Sequence, residues 1–125
     1  MTPARVMIVE DEAITAMATG AMLKRLGHVV LAAVGTGQDA LDACRRQRPD
    51  LVLMDIRLDG DLDGIETAKL LRRDSDVPVV FVSAYVDDTT KTRAAEAQPF
   101  DFLAKPLDEY DLQDLLTRLL PGLMR

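Results

Sequence analysis

Four short apolar runs, and a fifth segment broken only by Asp101, punctuate this chain, and most stop abruptly on polar residues. Val6-Met7-Ile8-Val9 ends in Glu10-Asp11-Glu12, and Leu51-Val52-Leu53-Met54 ends at Asp55. Val77 to Val82 ends at Ser83, and Phe100 to Ala104 ends at Lys105; Val29 to Val34 completes the set. Continuous apolar runs, as opposed to alternating ones, are the mark of strands covered on both faces, as in a parallel sheet. Pro78 is tolerated because it lies near the beginning of its run.

Between the runs the periodicity is helical. Ile14, Met17, Ala18, Ala21 and Met22, with Leu26 one turn on, form one stripe. Gly27 is placed to close that helix. Gly20 inside it costs about 1 kcal/mol relative to Ala, which marks close packing against a neighbour. Thr36 can cap a helix carrying Ala40, Leu41 and Cys44, stopped by Pro49. Asp63 with Glu66 reads as a capping box for a helix through Arg72. Asp88 to Ala97 has helical composition but no large apolar residue. The last helix is capped by Asp108, presents Leu112, Leu115, Leu116 and Leu119 at i, i+3, i+4 and i+7, and is expected to end at Pro121-Gly122.

Five strands alternating with five helices through short loops predict an α/β domain with a doubly wound, five-stranded parallel sheet. The 125 residues fit one domain, 1–125, with no separate output domain expected after Leu120. In open sheets of this kind ligands bind at the carboxyl ends of the strands.

Composition narrows the function. A net charge of −6 argues against nucleic acid as a partner, since phosphate binding requires a basic face. Arg45, Arg46 and Arg48 lie near a helix end, where cations complement the dipole. Aromatics at 4% argue against a base-stacking platform. No apolar run approaches the roughly 18 residues needed to cross a bilayer, and the first residues lack a signal-peptide layout. One cysteine, Cys44, precludes an internal disulfide and fits a cytoplasmic location.

Glu10 and Asp11, Asp55, Ser83 and Lys105 all fall at the same end of the expected sheet. Clustered carboxylates repel and raise one another's pKa unless a cation sits among them. An all-oxygen set without His or Cys suits Mg²⁺. A carboxylate neutralised in this way can attack phosphorus to form an acyl phosphate, whose charge then calls for donors such as Lys105 and Ser83.

Val9-Glu10-Asp11-Glu12, Leu53-Met54-Asp55-Ile56-Arg57, Val82-Ser83-Ala84-Tyr85 and Lys105-Pro106 together resemble the motifs of bacterial two-component response-regulator receiver domains. The intervals of 44, 28 and 22 residues separating Asp11, Asp55, Ser83 and Lys105 match as well, and the resemblance covers essentially the whole chain. It implies a flavodoxin-like receiver fold and a protein that catalyses only its own aspartyl phosphorylation and dephosphorylation. Asp55 would be the phosphoacceptor. Asp11, Asp55 and the backbone carbonyl of Arg57 would ligate Mg²⁺, with Glu10 assisting through water. Ser83 would sense the phosphoryl group and Lys105 pair with it, while Ala84 keeps the approach open. The implied partners are a sensor histidine kinase or histidine phosphotransfer protein and a downstream protein target, read by the surface from Asp88 to Leu120. The segment from Ser83 to Lys105, with Pro99-Phe100 and Phe102-Leu103, resembles receivers found beside sensor kinases more than those of transcription factors. The Lys105-Pro106 bond is cis in relatives.

Phe102 departs from the pattern, because the family often has a switching Tyr there; it serves either as a switch without a hydroxyl or as a plain core aromatic. Arg57 and Tyr85 lie where relatives vary and phosphoryl lifetime is tuned, and their bulk is expected to restrict attacking water. His28, the only histidine, begins a strand and is not expected to transfer phosphate, and Cys44 reads as a small core residue. Two other readings compete with this one. A phosphohydrolase of the haloacid dehalogenase type needs a second acid where Arg57 stands, and usually a cap domain. A degenerate receiver used only for docking would not need the full acidic set.

Overall fold

The computed structural model describes residues 3–84 and 87–123. Its elements alternate: β1 (Arg5–Val9), α1 (Ala13–Arg25), β2 (Val29–Val34), α2 (Gly37–Gln47), β3 (Leu51–Met54), α3 (Gly64–Asp74), β4 (Val79–Ser83), α4 (Asp88–Glu96), β5 (Asp101–Ala104) and α5 (Glu109–Leu123). All strands pair in parallel in one sheet of order β2-β1-β3-β4-β5. The winding therefore reverses between β1 and β3, and this opens a crevice at their carboxyl ends.

The alternation of side chains along each strand divides the core into two layers. Met7, Val9, Val52, Met54 and Phe81 face α2, α3 and α4. Val6, Ile8, Leu51, Leu53, Val80 and Val82 face α1 and α5, including Leu112, Leu115, Leu116 and Leu119. Both faces of the central strands are buried, which is why their sequences read as unbroken apolar runs.

The expected caps are in place. Thr36 Oγ1 accepts from the Asp39 N–H at 3.1 Å, and Asp108 Oδ1 accepts from Asp111 N–H at 2.7 Å. Asp63 and Glu66 form the reciprocal capping box, at 2.8 and 3.0 Å. Gly27 takes a φ of +91° just past α1, and Ala40, Leu41 and Cys44 are buried. α4 buries only Ala94, in keeping with its thin apolar content, and is capped by Asp87.

Several expectations differ from the structure, among them the start of β5, which is Asp101 and not Phe100. The buried face of α1 is Ala16, Thr19, Gly20 and Leu23, while Ile14 and Met17 are 83% and 73% exposed. Both sets satisfy helical spacing, and the small residues win because they let the helix approach the sheet. Gly20 lies on that face, yet a Cβ there would meet Ile8 and Val30 at an ordinary 3.8 Å, so close packing does not require glycine. α5 continues through Pro121 to Leu123, since proline's fixed φ is itself helical and few backbone bonds remain to be lost so near the helix end. β4 begins at Val79, directly after Pro78, and α3 extends to Asp74.

Candidate functional site

The crevice is built by loops that leave the strand ends. β1 delivers Glu10 and Asp11, β3 delivers Asp55, β4 ends on Ser83, and Lys105 follows β5. Carboxylate oxygens from Glu10, Asp11 and Asp55 lie within 4.8 Å of one another. Glu10 and Asp55 are each 8% exposed and Ser83 6%; Asp11 lies nearer solvent. The sheet register brings Lys105 alongside, its N–H donating to the Ser83 carbonyl at 2.9 Å. Its Nζ bonds Glu10 Oε1 at 2.5 Å and Asp55 Oδ2 at 2.9 Å. The Lys105-Pro106 bond is cis.

Burial raises the Glu10 pKa, against the opposing pull of the Lys105 hydrogen bond. Burial alone would depress Lys105, but the hydrogen bonds it donates to Glu10 and Asp55 outweigh it and its pKa is raised. The ammonium is thus held charged as counter-ion to the carboxylates.

Two glycines fix the loop that carries Asp55. A Cβ on Gly64 would lie 1.9 Å from the Asp55 carbonyl oxygen, so the start of α3 can rest on the end of β3 only with glycine there. The Gly64 N–H donates to the Ile56 carbonyl at 2.7 Å. A Cβ on Gly37 would overlap Thr67 Oγ1 at 2.1 Å, which sets how α2 seats on α3. Arg57 N–H donates to Asp55 Oδ1 at 3.2 Å, and Arg57 lines a cleft of about 310 Å³ with Asp11, Asp55, Ser83 and Lys105.

The structure thus brings Glu10, Asp11, Asp55, Arg57, Ser83 and Lys105 together. Phe102 stands apart on β5, half-buried, its ring 6.2 Å from that of Phe81 and packed on the core layer below α3 and α4. Tyr85 lies outside the described residues. His28 accepts from the Ala4 N–H at its Nδ1 (2.9 Å), and burial lowers its pKa. Cys44 is buried, its thiol pushed up to about 11. Gly64 was missed by sequence reasoning, although a glycine at the first position of a capped helix has no propensity reason to be there and is itself a signal.

The three carboxylates offer hard oxygen donors only and face an open cleft, a set that fits Mg²⁺ better than any softer metal. Fold and site together define a class: doubly wound domains with an acidic cluster and a lysine at the switch point of a 2-1-3-4-5 sheet. Comparison with known proteins identifies the family. The model of the response regulator receiver domain matches residues 6–117. The chain is 34% identical over 122 residues to Protein PilH of Pseudomonas aeruginosa, covering 95% of this chain and 99% of PilH. Several other curated relatives are longer transcriptional regulators, of whose length the chain spans about half. Among solved structures, the receiver domain of a modulated diguanylate cyclase from Desulfovibrio desulfuricans G20 superposes with a TM-score of 0.91 at 34% identity, covering 97% of this chain and 96% of that one. The receiver domain of the sensor histidine kinase PA1611 from Pseudomonas aeruginosa PAO1, with a magnesium ion coordinated in its active site cleft, gives 0.86 at 31% identity, covering 96% and 99%. This chain belongs to the response regulator receiver domain family.

Proposed function

We propose that the domain accepts a phosphoryl group on Asp55 from a phosphohistidine in a sensor kinase or phosphotransfer protein, in a Mg²⁺-dependent reaction, and so switches the α4-β5-α5 surface read by a protein target. The observation that carries this reading is the convergence of Glu10, Asp11 and Asp55 within 4.8 Å, with Lys105 Nζ 2.9 Å from Asp55. The Mg²⁺-bound PA1611 receiver, similar over nearly its whole length, supports it.

An Asp55 carboxylate oxygen attacks phosphorus, the P–N bond to the donor imidazole breaks, and the imidazole leaves and takes a proton. Glu10, Asp11, Asp55 and the Arg57 carbonyl are the groups that would hold Mg²⁺, which supplies positive charge to offset carboxylate and phosphoryl oxygens. Lys105 exchanges its carboxylate partners for a phosphoryl oxygen, and the Ser83 hydroxyl donates to another. Contacts made only with the phosphoryl present bias the domain toward one of two states, with Phe102 following Ser83. Docking of the donor on α1 is supported by the exposed Ile14, which borders the crevice, by the exposed Met17 beside Glu10 and Asp11, and by an apolar groove of about 520 Å³ between Ile14, Met22, Pro106 and Leu107 that opens beside Asp55. Function in the cytoplasm follows from such a donor, and no helix among the described residues is long and apolar enough to cross a membrane.

Incubation with Mg²⁺ and acetyl phosphate, read by intact mass, tests the reading. One added phosphoryl group, absent in Asp55→Asn and with EDTA, is expected. No gain with any small donor would leave a docking module instead, and steady turnover of a phosphate ester would favour the hydrolase.

A further inference from the structure

α4 is attached to the domain unlike its neighbours. It buries only Ala94, with Ala97 just past its end, and polar links to α3 supply the rest. Arg93 Nη2 bonds Asp63 Oδ2 at 3.0 Å, Lys69 Nζ bonds Glu96 at 3.0 Å, and Arg72 Nη1 donates to the Gln98 carbonyl at 3.4 Å.

The Arg93–Asp63 pair differs from an ordinary surface ion pair in what holds Asp63. Asp63 Oδ1 accepts from Glu66 N–H, its own N–H donates to Glu66 Oε1, and its carbonyl accepts from the Thr67 hydroxyl at 2.7 Å. The carboxylate is already fixed by the helix cap, so only Arg93 loses freedom when the pair forms. The hydrogen bond to Asp63 also raises the Arg93 pKa.

The partners lie on the two segments that leave the crevice. Asp63 follows Asp55 by eight residues and directly precedes Gly64, which rests on the Asp55 carbonyl. Arg93 follows Ser83 by ten residues through the β4–α4 connection. A cavity of about 340 Å³ between them, lined by Ile56, Arg57, Ser83, Thr90 and the pair itself, leaves room for Ser83 and the start of α4 to shift.

We propose that the Asp63–Arg93 ion pair is a latch that holds α4 in its unphosphorylated position, which makes Arg93 a coupling residue between Asp55 and the α4 surface. The proposal rests on Asp55 being the phosphoacceptor. Drawing Ser83 toward a phosphoryl group on Asp55 moves the root of α4 while Asp63 stays with α3. The pair then opens and α4 is released. A pair present in one state only shifts the equilibrium by its strength in that state, about two- to fivefold for a half-exposed pair with one fixed partner.

Hydrogen exchange of the α4 amides, followed by mass spectrometry in Mg²⁺ with and without acetyl phosphate, tests this. Arg93→Gln removes the cation, and Asp63→Asn removes the charge while keeping an oxygen to cap α3. Without donor, both variants are expected to exchange α4 amides about two- to fivefold faster than the parent, with α3 amides unchanged. Phosphorylation of the parent raises exchange in the same amides, and the rise is smaller in both variants; Arg93→Lys recovers part of the parent behaviour. Parent-like α4 exchange in both unmodified variants overturns the latch, as does a phosphorylated parent whose α4 amides stay protected. If no protein gains a phosphoryl group, the phosphoacceptor reading and the coupling fall together, while exchange in the unmodified proteins still decides whether the pair holds α4.

Discussion

Replacing Gly64 with alanine places a methyl group where the backbone of the phosphoacceptor strand already is. The added Cβ would lie 1.9 Å from the Asp55 carbonyl oxygen and 2.9 Å from the Asp55 carbonyl carbon. Relief requires a separation beyond 3.0 Å, so the start of α3 and the end of β3 must part by roughly 1 Å. Overpacking of this kind costs about 1–3 kcal/mol. The 2.7 Å bond from Gly64 N–H to the Ile56 carbonyl is stretched as well, adding about 1 kcal/mol. For a domain of this size each kcal/mol moves Tm by about 3–5 °C, so Gly64→Ala, at about 2–4 kcal/mol in all, should melt roughly 6–20 °C lower. Because the atoms displaced are those of Asp55, Mg²⁺ affinity and phosphoryl uptake should fall too, even well below the melting temperature. Gly20→Ala is the internal control: its Cβ meets side chains at 3.8 Å, and it should gain about 0.5–1 kcal/mol from helix propensity alone. Thermal melts and phosphorylation rates measured on both variants decide the matter. A Gly64→Ala protein with parent Tm and parent phosphorylation rate would refute the reasoning.

Other outcomes follow from the same geometry. Lys105→Met leaves Glu10 and Asp55 buried together without a cation and should cost about 2–4 kcal/mol in EDTA, toward the low end for a broken buried pair because the cleft is open. Freed of the competing ammonium, the carboxylates should bind Mg²⁺ more tightly, so at one fixed Mg²⁺ concentration melts with and without the ion should differ more for this variant than for the parent, each tenfold gain in affinity adding about 1.4 kcal/mol; equal Mg²⁺ dependence would count against the shared site. Burial holds the His28 pKa below its usual value, so as pH falls through the imidazole range the unfolded chain takes up a proton that the folded chain resists. Stability is therefore unaffected by His28 above that range and is lost on acidification through it. His28→Gln, which can still accept from Ala4, should flatten this part of the denaturation profile, and an unchanged slope would assign it elsewhere. Arg57→Ala should shorten the life of the phosphorylated protein, measured as loss of phosphate after donor removal; an unchanged rate would relieve Arg57 of any part in excluding water.

Much of this arrangement is legible in the sequence because it is local. Unbroken apolar runs mark strands buried on both faces, and Thr36, Asp63 with Glu66, and Asp108 mark helix starts through contacts three residues away. Convergence of Glu10, Asp11, Asp55, Ser83 and Lys105 follows once the strands are parallel, since each ends at the same edge. What the sequence hides depends on non-local contact. Two stripes of α1 satisfy helical spacing and the one with Ile14 and Met17 is the more apolar, so only the nearness of β1 and β2 selects Ala16, Thr19, Gly20 and Leu23 for the buried face. The stripe left outside becomes the surface proposed for the phosphodonor. Gly64 against Asp55 and Arg93 against Asp63 join residues from different elements, and no periodicity reports such pairs.

The central claim is that Asp55 carries the phosphoryl group. Borohydride reduces an acyl phosphate to an alcohol, which converts the modified aspartate to homoserine and leaves free carboxylates alone. Tryptic digestion after Mg²⁺, acetyl phosphate and borohydride treatment yields a peptide spanning Gln47 to Arg57, which contains Asp50 as well as Asp55. Fragmentation should place homoserine at position 55 and unaltered aspartate at position 50. Homoserine at any other acidic residue, with position 55 unmodified, would contradict the account.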